Sequence, residues 1–88
     1  MQPHPLINAR DLGRAFKAER RALGKTQQDI ADSTHYRRQT IVDLEAGRNV
    51  SVHTVFAALA ALGKGLAIVD TRLDLDQLQR MFGAVDED

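Results

Sequence analysis

Three glycines set the scale of anything this sequence can build. Gly24, Gly47 and Gly63 each stand directly after a short apolar-periodic segment. Glycine at that position ends a helix, because it turns the backbone into left-handed space without a steric penalty. The chain between them is divided into short helices, which are marginal alone and must pack on one another. With 88 residues there is room for one domain around one modest core. The longest apolar run, Val55 to Leu62, has eight residues, where a membrane span needs about 20. Met1-Gln2-Pro3-His4-Pro5 lacks the basic and apolar regions of a secretory signal. The absence of cysteine excludes disulfides and thiolate metal sites and fits a reducing cytoplasm, the location expected for the protein.

Local chemistry predicts where the helices start. Asn8, with Asp11 three residues on, predicts the first helix, with Leu12, Ala15, Phe16 and Leu23 on one face. Thr26-Gln27-Gln28-Asp29 has the form of a capping box and opens a short second helix whose strong apolar residues are Ile30 and Ala31. A third helix is expected from about Arg38 to Ala46, burying Ile41 and Leu44. Ser51 caps a fourth, for which Val52, Val55, Phe56, Leu59 and Leu62 predict the strongest apolar stripe of the chain. Beyond the turn at Gly63-Lys64-Gly65, the run Leu66-Ala67-Ile68-Val69 reads as a short strand. A lone strand has an unpaired edge and needs a partner. A weak last helix is expected to hold Leu75, Leu78, Met81 and Phe82 ahead of the acidic end Asp86-Glu87-Asp88.

The zero net charge is unevenly divided. Residues 1–48 carry nine Lys/Arg and six Asp/Glu, whereas residues 49–88 carry three and six. A basic half joined to an acidic half suits a chain whose first part meets a polyanion.

The segment from Gln27 to Leu44 carries the functional signal. Two short helices joined by a tight turn form a helix-turn-helix when Ala31 lets them cross closely, residue 35 turns the chain, and Ile41 with Leu44 fill the wedge. On these residues, and on Arg20, Leu23-Gly24, Thr26-Gln27, Ile30-Ala31, Glu45, Gly47 and Leu62-Gly63, the sequence resembles the Xre/Cro phage-repressor-like helix-turn-helix family from about Leu12 to Gly63. Two positions depart from that pattern. His35 stands where the family has glycine, and Arg37 where a Ser or Thr often caps the third helix; histidine tolerates left-handed geometry better than most residues. The resemblance implies that the third helix enters the major groove. Arg38 would then face guanine, Gln39 adenine and Val42 a thymine methyl, while Asp43 would accept from cytosine or repel phosphate. It implies a phosphate contact at Gln27, with Arg37, Thr40, Lys25 and Arg48 as phosphate neighbours. It also makes Arg20 and Glu45 an internal ion pair.

The stretch from Leu62 to Asp70 narrows the resemblance to HipB-type antitoxins. Their short strand, here Leu66, Ala67, Ile68 and Val69, pairs with its copy in a second subunit. The implied fold is all-α, a helix-turn-helix bundle with a C-terminal β-strand pairing across a homodimer. It divides into an arm (1–7), a DNA-binding domain (8–63), a dimerisation strand (64–72) and a tail (73–88). The implied partners are palindromic double-stranded operator DNA, a second copy of the chain and a HipA-type serine/threonine kinase toxin, with no membrane. The protein would be cytoplasmic and associated with the nucleoid through its operator.

Other chemistry finds little support. His4, His35 and His53 share no helical ligand spacing, so neither a metal nor a cofactor is expected. No phosphate loop or catalytic constellation is visible, and an enzyme is not expected. The alternatives are a stand-alone Xre/Cro-type repressor without a toxin, and a helical interaction module that does not bind DNA. The near-neutral balance, with a pI near 6.8, is the main argument for the latter.

Overall fold

The computed structural model describes residues 5–71 of the chain. They form four helices, α1 (Ala9–Ala22), α2 (Gln27–Thr34), α3 (Arg38–Glu45) and α4 (Val52–Ala61). The predicted tail helix lies outside the described residues.

Each helix begins as its local chemistry dictates, with one exception. Asn8 Oδ1 accepts from the Asp11 amide at 2.8 Å. The capping box at α2 is complete: Asp29 N donates to Thr26 Oγ1 at 3.0 Å and Thr26 N to Asp29 Oδ2 at 2.9 Å. Ser51 Oγ accepts from the Thr54 amide at 3.1 Å. The exception is α3, whose N-cap Arg37 makes no side-chain capping bond.

The ends of α1, α3 and α4 share one solution. Past α1, Gly24 N donates to Arg21 O and Lys25 N to Arg20 O; past α3, Gly47 N to Leu44 O and Arg48 N to Asp43 O; past α4, Gly63 N to Ala60 O and Lys64 N to Leu59 O. This paired reversal satisfies carbonyls that a helix end would otherwise leave open. At the end of α2 the left-handed residue is His35, with φ of 64°.

The core is small and shared by all four helices. Phe16, Ile30, Ala31, Ile41, Leu44, Ala58, Leu59 and Leu62 are buried, with Val50, Val55 and Ala61 packed against them. Burying side chains the size of Phe16, Ile30 and Ile41 contributes about 1.5–3 kcal/mol each. Gly13 lets α1 lie against the end of α3, since a β-carbon there would meet the carbonyl oxygens of Leu44 and Glu45 at 2.5 Å.

The structure keeps Val55, Leu59 and Leu62 of the predicted α4 stripe in or against the core and turns its other two residues outward. Val52 and Phe56 are exposed, at 66% and 53%, whereas Thr54 and Ala58 are buried. Ala58 is small enough for close packing of α4 on the core. Thr54 can be buried because its hydroxyl lies 3.0 Å from Ser51 Oγ, which removes most of the penalty for enclosing a polar group. Leu23, expected on the inner face of α1, is also exposed, because it sits at the C-cap where the chain leaves the helix.

Residues 64–71 contain no regular element. Leu66, Ile68 and Val69 are exposed, Ile68 completely. The expected strand therefore has no pairing partner within the described single chain. The segment leaving α4 is tied back to α1 by Lys64 Nζ and Glu19 Oε1 at 3.2 Å.

Candidate nucleic-acid interface

The site is built on α3, and α3 is fixed from beneath. Ile41 and Leu44 anchor one side in the core, while Glu45 is held by a buried network. Arg20 Nε donates to Glu45 Oε2 at 2.6 Å and Arg20 Nη2 to Glu45 Oε1 at 3.1 Å. The remaining arginine nitrogen, Nη1, donates to the Lys25 carbonyl at 2.8 Å. The two side chains are 9% and 4% exposed, so the pair is largely desolvated and its geometry matters more than its charge. Its two-point fork locks the angle between α1 and α3.

Gln27 joins the same network. Its Nε2 donates to Glu45 Oε1 at 3.0 Å, tying the first residue of α2 to the last residue of α3. The amide end of α2 is therefore held in place by the group that holds α3. The family resemblance implies a phosphate role for Gln27 and a structural one for Arg20 with Glu45; in the structure the three form one unit. The contact spans 18 residues, and no local pattern reports it.

On the side of α3 turned away from Ile41 and Leu44 lie Gln39, Val42 and Asp43. Arg37, Arg38 and Gln39 are exposed, while Thr40, Val42 and Asp43 are half-buried. Gln39 Nε2 donates to Asp43 Oδ1 at 2.9 Å. Arg48 Nη1 donates to the same oxygen at 3.0 Å. Two hydrogen-bonded groups result, one of Gln39, Asp43 and Arg48 and one of Gln27, Arg20 and Glu45 with the Lys25 carbonyl; the expected contacts Thr40 and Val42 belong to neither. Arg37 and Arg38 stand at the open N-terminus of α3, and neither forms a salt bridge among the described residues. The Gln39–Asp43 contact has a sequence signal, the i, i+4 spacing of an amide and a carboxylate.

One titration is perturbed nearby. The Asp29 carboxyl lies below its ordinary value of 3.8, because the Thr26 amide and then the Thr26 hydroxyl hydrogen-bond its charged form. Among the described residues no group of three or more potential ligands could hold a metal ion. No described helix is long and apolar enough to cross a membrane.

A helix-turn-helix family model matches residues 16–69, from Phe16 in α1 to the end of the Leu66–Val69 run. The chain belongs to the helix-turn-helix family. Its α2–His35–α3 unit is the motif for which the family is named. Among solved structures it is similar to one described as a HipB–O4 20mer complex (TM-score 0.75, 24% identity, covering 80% of this chain and all of that one). It is also similar to an MDT protein (TM-score 0.74, 24% identity, the same coverage). A chain of a HipA–HipB–O2–O3 complex gives TM-score 0.74 and 25% identity, covering 80% of this chain and 100% of that one. The helix-turn-helix here has the HipB fold. No curated protein sequence matches it significantly.

Proposed function

We propose that this protein is a sequence-specific DNA-binding antitoxin and autorepressor of a type II toxin–antitoxin operon, neutralising a HipA-type serine/threonine kinase toxin. One observation carries the DNA half of the reading. The N-terminus of α3 has no side-chain cap and instead carries Arg37 and Arg38. A basic residue there is unfavourable in the isolated protein, because the helix end already bears partial positive charge. A phosphate backbone removes that penalty.

In this reading α3 is the recognition helix. Arg38 meets guanine, Gln39 adenine and Val42 a thymine methyl. Gln27, Arg37, Thr40, Lys25 and Arg48 are the phosphate contacts or their neighbours. Residues 8–63 are the DNA-binding unit, and Leu66, Ala67, Ile68 and Val69 pair with their copies in a second subunit. The complete exposure of Ile68 supports a partner for that run. Twofold pairing closes the strand edge and provides the symmetry of a palindromic operator. The two recognition helices then lie about 34 Å apart, one turn of DNA.

The toxin half rests on likeness to chains of a HipB–O4 20mer complex and a HipA–HipB–O2–O3 complex. The tail (73–88), with Leu75, Leu78, Met81 and Phe82, is the candidate toxin contact and lies outside the described residues. The alternative is a stand-alone Xre/Cro-type repressor, which the same helix-turn-helix would serve equally well.

The test is co-purification with the product of the adjacent gene, followed by binding of the complex to the shared promoter. A kinase-like partner that stays bound on a palindromic site is expected. Promoter binding with no partner would leave the stand-alone repressor.

A further inference from the structure

We infer that Asp43 is a positioning residue for base readout: with Arg48 as its latch, it holds the Gln39 amide in the one orientation that reads adenine. The inference rests on the DNA-binding reading above and assigns Asp43 a role other than contacting cytosine or phosphate directly.

A glutamine side chain has a donor end and an acceptor end, and a free one rotates between them. A carboxylate only accepts. The nitrogen of Gln39 must therefore face Asp43 Oδ1, which it does at 2.9 Å. That leaves one Nε2 hydrogen and the Oε1 acceptor for a ligand. A donor beside an acceptor matches the N7 acceptor and N6 donor of adenine, whereas guanine presents two acceptors.

The carboxylate is itself held. The reversal that ends α3 brings the Arg48 amide onto the Asp43 carbonyl at 2.9 Å. From there the Arg48 side chain returns to Asp43 Oδ1 at 3.0 Å. Arg48 is 62% exposed and Asp43 half-buried at 31%, so the pair contributes little to stability. Its effect is geometric and electrostatic. Arg48 fixes the carboxylate rotamer and offsets a negative charge that would otherwise face phosphate.

The test is binding-site selection from a randomised double-stranded DNA library, run in parallel on the full-length wild type, Gln39→Ala, Asp43→Ala and Asp43→Asn. The wild type is expected to prefer adenine at one position of each half-site by roughly 5- to 100-fold. Gln39→Ala abolishes that preference. Asp43→Ala reduces it at the same position, by about 3-fold or more, and leaves the other positions unchanged. Asp43→Asn keeps the Oδ1 acceptor and retains it. An Asp43→Ala profile equal to wild type, or one weakened evenly at every position, would overturn the inference and leave DNA binding standing. No enrichment by the wild type would overturn the DNA-binding reading itself, and this inference with it.

Discussion

The backbone of Gly13 faces the carbonyl oxygen of Glu45 so closely that a β-carbon on Gly13 would stand 2.5 Å from it. This sets how deeply α1 sinks onto the end of α3. Gly13 is mid-helix, where alanine would ordinarily be about 1 kcal/mol better. The obstructing atoms are backbone and cannot move aside. Gly13→Ala is therefore expected to destabilise the fold by about 1–3 kcal/mol, in the range of overpacked cores. Urea denaturation measures this, and a stability gain would show that the crossing is looser than described.

Arg20 and Glu45 should behave as one object. Removing either partner alone strands a buried charge and is expected to cost about 3–5 kcal/mol. Replacing both by apolar residues of similar size should cost far less than the two single losses combined. The Gln27 amide also loses its acceptor when Glu45 is replaced, so Glu45→Leu should weaken DNA binding beyond its effect on folding. A double-mutant cycle in which the two losses simply add would contradict the pairing.

Stability and DNA binding should separate around the turn. His35 has φ of 64°, a conformation that suits glycine, so His35→Gly is expected to gain up to about 1 kcal/mol. Arg37→Ser supplies the missing cap and should gain about 1 kcal/mol. Only Arg37→Ser should weaken DNA binding, lowering the salt slope by about one unit. Equal DNA affinity in both variants would remove Arg37 from the interface.

The lowered Asp29 carboxyl gives a pH dependence of known sign. Its folded form is held below the ordinary 3.8 by the Thr26 amide and hydroxyl. The stabilisation is fully present above the unfolded value and is lost as pH falls through the folded one. The stability difference between wild type and Asp29→Asn should therefore be constant near neutrality and shrink below about pH 4. A difference unchanged down to pH 2.5, measured by chemical denaturation, would show that the capping box does not depend on charge.

What the sequence made legible was what neighbouring residues decide. Asn8 with Asp11, Thr26 with Asp29, and Ser51 by itself mark three helix starts, and glycine marks three ends. Ile41, Leu44 and the Arg20–Glu45 pair follow from the helix-turn-helix pattern. The rest depends on packing. Hydropathy ranked Phe56 above Thr54 on α4, yet a satisfied hydroxyl and the small Ala58 placed Thr54 inside. Nothing adjacent to Gly13 in the chain marks its role, which comes from the Leu44 and Glu45 carbonyls of α3 packed against it. The Gln27–Glu45 bond joins α2 to α3 across 18 residues and leaves no local signal in the sequence.

Whether α3 reads DNA is decided by equilibrium binding to the duplex upstream of the protein's own gene at about 50–200 mM salt. Affinity should fall steeply with salt as counterions are released, on the order of tenfold to a thousandfold over that range. Arg38→Ala should lose about 1–3 kcal/mol at one base pair of each half-site and little elsewhere. Affinity equal to that for a scrambled duplex, unchanged by salt and by Arg38→Ala, would show that α3 does not read DNA.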